Sequence, residues 1–371
     1  MKKKLFVLSA AAVLIFSLAG SPLAHDEKKD RQPGEVSGEK IERSMTVDPR
    51  ATVTLCVAAG ILKVRGWDKS EVHVRSIDAA QIDFRRIDKS KDKPATRIDV
   101  MVLDKTAVPN SKFDCQAVAD VEMDVPAGAT VQVQTRDGDI TITGVSGAYA
   151  GSQNGDITIE RATTFVEAGS VGGSIYLRNS SGRIALSSAG GGVEVSNVRS
   201  ATEEDTFEVG TVSGDILLDR VSNQKVIAKT VNGRVLMTGP LAKSGYYGFT
   251  NMTGDIVLAL PQDASFQLNA KVSDKHDIVS DFKLTYRSEP PAPPAVKPRT
   301  PSPEAKPKAP APVAKSQPPQ PPQKGPAAGP VVLERSVVTH YSLRRVSAVC
   351  GSGDATISVA SFGGTIRIKK I

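Results

Sequence analysis

One short phrase built on glycine recurs along the chain and limits the folds available to it. "VSGDILL", "VNGRVLM" and "MTGDIVL" return at Gly214, Gly233 and Gly254, with apolar residues two and four positions after each glycine. A repeat of about twenty residues is typical of solenoids, whose units are too small to bury an apolar face alone and therefore stack. The phrase predicts an all-β chain folded as a parallel β-helix, or solenoid, with two short strands and two turns in each coil.

The same phrase can be aligned on further glycines before and after these three. We predict that each lies in a turn with positive φ, which glycine adopts without strain. The predicted turn glycines are Gly138, Gly155, Gly173, Gly182, Gly214, Gly233, Gly254 and Gly364. Because Asn-Gly and Asp-Gly between alternating apolar runs are also typical of β-hairpins, an antiparallel meander or sandwich is the alternative.

The residue after each glycine is predicted to point outward, and its charge varies along the repeat. In three successive units it is Asp215, Arg234 and Asp255. Stacked coils would place these side chains about 4.8 Å apart, so that opposite charges favour stacking in register. We interpret this outer-face ladder as a stabilising feature, in which each exposed pair contributes less than about 1 kcal/mol.

Composition divides the chain into five segments. Sixteen of the 24 prolines lie between residues 290 and 330, a composition that predicts an extended, solvated stretch. The repeat resumes after that stretch with too few apolar residues to fold alone, so this part is expected to return and add the last coils. The predicted segments are a signal peptide (1–24), a disordered polar tail (25–45), a β-strand-repeat domain with a strand-rich N-terminal cap (46–288), a Pro-rich disordered insertion (289–330) and terminal coils of the same domain (331–371).

The N-terminus predicts export. Lys2, Lys3 and Lys4 precede an apolar run that ends in small residues between Ala19 and Ala24, as in a cleaved signal peptide. We therefore expect an exported protein of the periplasm, the outer cell surface or the medium, which is not an integral membrane protein after signal cleavage. The formal charge of +7 comes from the signal and the Pro-rich stretch, so the rest of the chain is neutral. A neutral folded part argues against nucleic-acid binding.

Three cysteines would meet an oxidising compartment after export. We favour a disulfide between Cys56 and Cys115, because both lie in strand-like runs of the same N-terminal segment. The alternative is that Cys56, Cys115 and Cys350 are all buried free thiols. The polar run that begins at Asp78 ("DAAQIDFRRIDKSKDK") is the one place where a short helix is considered.

Few residues point to chemistry. No cofactor is expected, and no cluster of Cys and His with metal-ligand spacing occurs, so no metal site is predicted. Asp137, Asp139 and Asp156 fall at neighbouring corners and could approach one another, as glycosidase chemistry requires. Each recurs with the repeat, however, and turns favour aspartate for structural reasons.

Three features of the sequence occur together: Gly66-Trp67-Asp68 within "GILKVRGWDKSEVHV", the serial "GDITI" phrases and the closing "GGTIRIKKI". With them the chain resembles a bacterial putative-adhesin family of unknown function built from β-strand repeats, similar to the heads of autotransporter adhesins. The resemblance implies a β-solenoid of the cell envelope or the medium, with no established activity and no catalytic residues.

Together these observations predict an exported, non-catalytic β-solenoid that serves as a cell-envelope scaffold or an adhesin-like binding module. Its partner would be an envelope polysaccharide or another protein. One alternative is a carbohydrate-active β-helix, such as a polysaccharide lyase or hydrolase. Another is a partner or sensor subunit of an envelope-stress system.

Overall fold

The computed structural model describes residues 40–88, 92–105, 115–286 and 343–371. These residues form 26 strands and contain no helix. The predicted signal peptide and the Pro-rich insertion lie outside the described residues. The strand pairings divide into two sheets, which we call A and B and which share the first strand.

The strands of sheet B are given in spatial order from one end of the molecule to the other. They are β4 (Ala79–Arg86), β5 (Ala95–Asp104), β1 (Ile41–Ala59), β7 (Thr130–Asp137), β9 (Gly147–Ser152), β11 (Phe165–Ser170), β13 (Arg183–Ser188), β15 (Thr206–Ser213), β17 (Lys225–Asn232), β19 (Tyr246–Thr253), β25 (Ala355–Gly363), β21 (Phe266–Ser273), β24 (Leu343–Cys350) and β23 (Thr285–Tyr286).

Sheet A begins with the first residues of β1 and runs in the same direction. Its other strands are β3 (Glu71–Ser76), β6 (Val121–Pro126), β2 (Leu62–Trp67), β8 (Ile140–Thr143), β10 (Ile157–Glu160), β12 (Ile175–Arg178), β14 (Val193–Val198), β16 (Ile216–Val221), β18 (Val235–Thr238), β20 (Ile256–Leu260), β26 (Ile366–Lys370) and β22 (Ile278–Ser280).

Each repeat of the sequence is one coil of a solenoid, with a strand in sheet B followed by a strand in sheet A. From β7 to β20 the chain makes consecutive coils whose strands pair in parallel with those of the next coil. Equivalent residues lie opposite one another, as Ile157 does with Ile140 and Ile175. The predicted all-β solenoid is confirmed. Within the described residues, antiparallel pairs occur only near the two ends.

The core lies between the two sheets, because alternate residues of every coil point inward. The predicted aliphatic columns are buried, including Ile140 and Ile142 in β8 and Ile256 and Leu258 in β20. Aromatic side chains are few, and Phe207, Tyr247 and Phe249 fill the sheet B side of the core with at most 1% exposure. Stacked β-branched and leucine side chains therefore supply most of the buried apolar surface.

The last strands in sequence do not form the last coil in space. β25 lies between β19 and β21, and β26 lies between β20 and β22. The expectation that the C-terminal segment adds the final coils is therefore wrong for β25 and β26, which fill an interior position of the same solenoid. The first described strand of that segment, β24, does lie near the end of sheet B, between β21 and β23.

Two features of the N-terminal part also differ from the prediction: one element type and one strand boundary. The run from Asp78 forms β4 instead of a helix, and it pairs antiparallel with β5 while burying Ala79 and Ile82. β1 begins at Ile41, inside the predicted polar tail, because Ile41 and Met45 pack against the core. The strand-rich cap therefore starts earlier than its composition suggested.

Candidate binding face

A column of glycines at one corner joins the end of each sheet B strand to the next sheet A strand. A Cβ atom added at any member after the first would lie 1.8–2.5 Å from the carbonyl oxygen of the equivalent glycine in the neighbouring coil. The column consists of Gly60, Gly138, Gly155, Gly173, Gly191, Gly214, Gly233, Gly254 and Gly364. Close approach of one backbone to the next is therefore what requires glycine here.

This column corrects the predicted reason for the repeat and one of its members. Gly233 and Gly254 have positive φ (159° and 116°), but Gly138, Gly155, Gly173, Gly214 and Gly364 do not. Gly182 has φ 99° and lies at the opposite corner, before β13, where an added Cβ would meet the carbonyl oxygen of Thr164 at 1.8 Å. Gly191, which was not predicted, occupies the corner position in that coil.

A buried hydroxyl three residues before the corner glycine was missed by the sequence analysis. In five coils this side chain donates a hydrogen bond of 2.9–3.2 Å to the corner carbonyl of the preceding coil. The donors are Ser152, Ser170, Ser188, Thr211 and Thr230. Since buried carbonyls need partners, these hydroxyls hold successive coils at a fixed distance. Their recurrence at a fixed offset from the glycine was the available signal.

The predicted ladder of Asp215, Arg234 and Asp255 is formed only in part. Arg234 Nη2 lies 3.2 Å from Asp215 Oδ2, and the backbone N–H of Arg234 also donates to Asp215 Oδ1 over 2.8 Å. Asp255 instead pairs with Arg367 of β26 over 3.4 Å and accepts the backbone N–H of Thr365. The interior position of β26 explains the change of partner, since it brings Arg367 alongside Asp255.

The three aspartates considered for acid–base chemistry are all engaged by the fold. Asp139 and Asp156 each accept a backbone N–H from the next coil, at 2.9 and 2.7 Å. Hydrogen bonds from Arg136 and Asn154 hold the pKa of Asp137 below its usual value. These carboxylates therefore act as clips between coils. The described residues contain no group of three or more His, Cys, Asp or Glu able to hold a metal ion.

The structure joins Cys56 and Cys115 in a disulfide, with an S–S distance of 2.05 Å. Cys56 points outward from sheet B and lies opposite Gln134 of β7. Cys350 of β24 is a half-buried free thiol whose pKa is raised by burial. The disulfide therefore lies at the N-terminal end of the outer face of sheet B.

The outer face of sheet A, called the sheet A face, carries charges that neutralise one another. Arg178 lies 3.8 Å from Glu160 and 3.7 Å from Glu194, each on a neighbouring strand. Nearer the N-terminus, Asp124 is almost fully buried between Arg65 at 2.9 Å and Arg75 at 3.0 Å. These pairs leave this face with few charges free to meet a partner.

Arg75 also links Asp124 to a second carboxylate. Its Nε donates to Glu122 Oε2 over 2.8 Å. That hydrogen bond lowers the pKa of Glu122 and raises the pKa of Arg75. Beside this network the Trp67 ring stacks on His73 and donates its Nε1–H to the carbonyl of Glu71. The single tryptophan therefore belongs to the cap.

The outer face of sheet B, called the sheet B face, carries an apolar stripe that runs along the solenoid axis. It is formed by the residue two positions before each of the last six corner glycines, and its members are Val171, Ala189, Val212, Val231, Met252 and Phe362. Four of them are 41–58% exposed: Val171, Val212, Val231 and Met252. The register stacks Val212 beside Val231, since Thr211 and Ser213 face Thr230 and Asn232. An exposed apolar row of this kind is typical of an interaction surface.

A shallow groove of about 630 Å³ lies beside the stripe. Its floor is formed by the small residues Gly151, Gly169, Ser187 and Gly210, and Lys229 lies at one end. Glu167 and Glu208 line it without an ion-pair or hydrogen-bond partner in the described part of the chain. The sheet B face thus combines apolar side chains, open space and uncompensated charge.

Residues 63–288 match the family described as Toastrack DUF4097, and this is more than half of the chain. The chain belongs to the Toastrack family. No curated protein matches this Toastrack chain. Among the described residues, no helix has the length and apolar character needed to cross a membrane.

The solved structures that match this Toastrack protein have low identity to it and low TM-scores. An adhesin structure from Parabacteroides merdae, termed putative, has 9% identity and a TM-score of 0.38, over 61% of this chain and 90% of its own. Another from Bacteroides fragilis has 10% identity and a TM-score of 0.34, over 90% and 98%. A Clostridium sporogenes structure named as a putative cell adhesion protein has 9% identity and a TM-score of 0.19, over 90% and 100%. Scores this low carry no argument about function.

Proposed function

We propose that this Toastrack protein is an exported, non-catalytic scaffold or adhesin-like binding module of the bacterial cell envelope, and that the sheet B face is its docking surface. The observation that carries the proposal is the exposed apolar stripe from Val171 to Phe362. A contiguous row of exposed apolar side chains is the kind of surface that marks an interaction site.

The local chemistry supports binding over catalysis. The corner aspartates accept hydrogen bonds from backbone N–H groups of the next coil, as Asp139 and Asp156 do. A carbohydrate-active solenoid would need such carboxylates free to reach the substrate, at separations of about 5 to 9.5 Å. The groove beside the stripe instead offers glycine and serine backbone, which accommodates a partner without reacting with it.

The proposed location is supported by the disulfide. A bond between Cys56 and Cys115 persists in the periplasm or outside the cell, where thiols are not kept reduced. The predicted signal peptide would direct the chain there. The closer likeness to autotransporter-adhesin heads is likewise part of the proposal.

Retention on envelope polymers tests the function. The mature chain and a variant with Val171→Ser, Val212→Ser, Val231→Ser and Met252→Ser would be passed over immobilised envelope polysaccharide and a glycan array, with release of reducing ends measured in parallel. We expect retention of the native chain, loss of retention by the variant, and no release. Release of reducing ends would show that the protein is an enzyme. Equal retention of both chains would show that the docking surface lies outside the apolar stripe.

A further inference from the structure

We infer that the partner on the sheet B face is a second copy of this chain, bound as a symmetric dimer with the two solenoids antiparallel. The inference rests on the proposed function: a second copy covers the docking surface, and an envelope polymer would have to displace that copy to bind there. In this arrangement a two-fold axis runs parallel to the strands and passes between the coils that contain β15 and β17. The interface is then formed by the outward residues of six strands, from β11 to β25, in each copy. The strand order of one copy runs opposite to that of the other, so that β11 faces β25, β13 faces β19 and β15 faces β17.

The apolar stripe is complementary to itself under this operation. Val212 of one copy faces Val231 of the other, so the two central positions are matched in size. Ala189, the smallest member, faces Met252, the longest. Val171 faces Phe362. Each contact occurs twice, as a two-fold interface requires.

The charges beside the stripe match under the same operation. β15 of one copy faces β17 of the other, so Glu208 lies over a strand that carries Lys225 and Lys229. The register of β15 on β17 fixes this relation, since Glu208 pairs with Ile227, between the two lysines. None of the three has an ion-pair partner in the part of the chain that the structure describes. Opposite charges at these positions would favour the antiparallel dimer over other arrangements.

Long side chains of one copy fit over the small residues that form the groove of the other copy. Lys229 of one copy faces Gly210 of the other, where the absence of a side chain leaves room for the lysine. In the neighbouring coils Arg183 of β13 faces Tyr246 of β19, an exposed aromatic ring suited to a guanidinium. The small floor of the groove and the long side chains of β17 and β19 are therefore complementary parts of one interface.

The available area suits a reversible dimer. Six strands about 4.8 Å apart and eight residues of about 3.3 Å give a face of roughly 750 Å² on each copy. Specific interfaces commonly bury about 800 Å² on each partner. The chain's own Pro-rich segment is the other candidate occupant, but it carries six Lys and Arg residues against two Glu, and this net positive charge opposes docking over Lys225 and Lys229.

Sedimentation velocity on the mature chain from about 1 to about 100 µM tests the inference. We expect the mass to rise towards that of a dimer. Glu208→Lys should weaken association by about tenfold or more, whereas Glu167→Lys, the same change facing the neutral Ser358, should alter it by less than about threefold. A variant with Lys225→Glu and Lys229→Glu should likewise weaken association by about tenfold or more, and mixing it with Glu208→Lys should restore the dimer.

Three results would overturn the inference. One is a chain that stays monomeric at the highest concentration. Another is equal weakening by Glu208→Lys and Glu167→Lys, or no recovery in the mixture. The third is a dimer that appears only after residues 289–330 are deleted, because the chain's own segment would then occupy the face. Retention on envelope polymers by a monomeric chain would leave the proposed function standing while the dimer fails.

Discussion

The two broad faces of the solenoid are built from the same repeat but differ in whether their charges are paired and their apolar side chains are exposed. On the sheet A face, Arg178 is shared between Glu160 and Glu194, and Asp124 is held by two arginines. On the sheet B face, Glu208 and Lys229 have no such partner among the described residues, and four large apolar side chains are exposed. A fold made of identical coils can therefore keep one face closed and leave the other for a partner.

Both faces depend on the corner glycines, so the largest effect should come from breaking that column. Gly155→Ala places a Cβ 1.9 Å from the carbonyl oxygen of Gly138, which only a shift between coils can relieve. We expect a loss of more than about 4 kcal/mol in the free energy of unfolding, measured by urea denaturation.

Gly151→Ala is the matched control four residues earlier. Its nearest neighbour would be Gln134 Cγ at 3.8 Å, an ordinary contact on the sheet B face. We expect a change below about 1 kcal/mol. Equal losses at Gly151 and Gly155 would contradict the role given to the column.

The disulfide at the N-terminal end of the sheet B face should have the next largest effect. It closes a loop with a sequence separation of 59 residues, for which chain entropy predicts about 4 kcal/mol. Replacing Cys56 and Cys115 together by Ser should lower the melting temperature markedly, whereas Cys350→Ser should change it little. A double variant as stable as the native chain would show that the cap closes this end without the covalent bond.

Removing the buried carboxylate of the sheet A face should lower the free energy of unfolding far more than removing an exposed, ion-paired carboxylate. Asp124→Ala leaves Arg75 without its buried partner, and we expect a loss of about 3 kcal/mol. The comparison is Asp215→Ala, whose side chain is 45% exposed beside Arg234 and should cost less than about 1 kcal/mol. Chemical denaturation of both variants would measure the ratio. Equal costs would mean that burial does not distinguish these pairs.

Low pH should destabilise the folded chain in part through protonation of Glu122 on the sheet A face. Its pKa is lowered by the hydrogen bond from Arg75, so the unfolded chain binds the proton more readily than the folded one. The stabilisation is present above the unfolded pKa and is lost as pH falls through the folded pKa. Glu122→Gln should therefore show a shallower loss of stability below about pH 4.5. A slope equal to that of the native chain would exclude Glu122 as a contributor.

The smallest effect on stability is expected in the apolar stripe. Val212→Ser removes a side chain that is 51% exposed and should change the free energy of unfolding by less than about 0.5 kcal/mol. Phe207→Ala, five residues earlier in the same strand and fully buried, should cost about 3 kcal/mol or more. If Val212→Ser destabilised the chain strongly, the stripe would belong to the fold instead of to a partner.

The sequence predicted the coils but not the order in which they stack. The inward aliphatics that follow Gly138 or Gly254 could be predicted, because their period alone specifies which side faces the core. The insertion of β25 and β26 between earlier strands could not, since nothing local in "GDATISV" or "GGTIRIKK" distinguishes an interior coil from a terminal one. The same insertion gave Asp255 a partner 112 residues away.

The site was less predictable than the fold. Outward positions of the repeat vary freely, so Val171, Val212 and Val231 look ordinary one at a time and form a row only after the coils are stacked. The misplacement of Gly182 has a similar cause, because glycines at opposite corners of the coil carry nearly the same neighbours. The buried hydroxyls at Ser170 and Ser188 were present in the repeat and could have been recognised.

Hydroxyl-radical footprinting at low and high protein concentration tests the central claim most directly, because it reports both faces in one experiment. Met252 and Tyr246 report the sheet B face, and Tyr176 reports the sheet A face. We predict that oxidation of Met252 and Tyr246 falls as concentration rises while that of Tyr176 is unchanged. Protection of Tyr176 with Met252 and Tyr246 still reactive would contradict the assignment of the sheet B face as the docking surface.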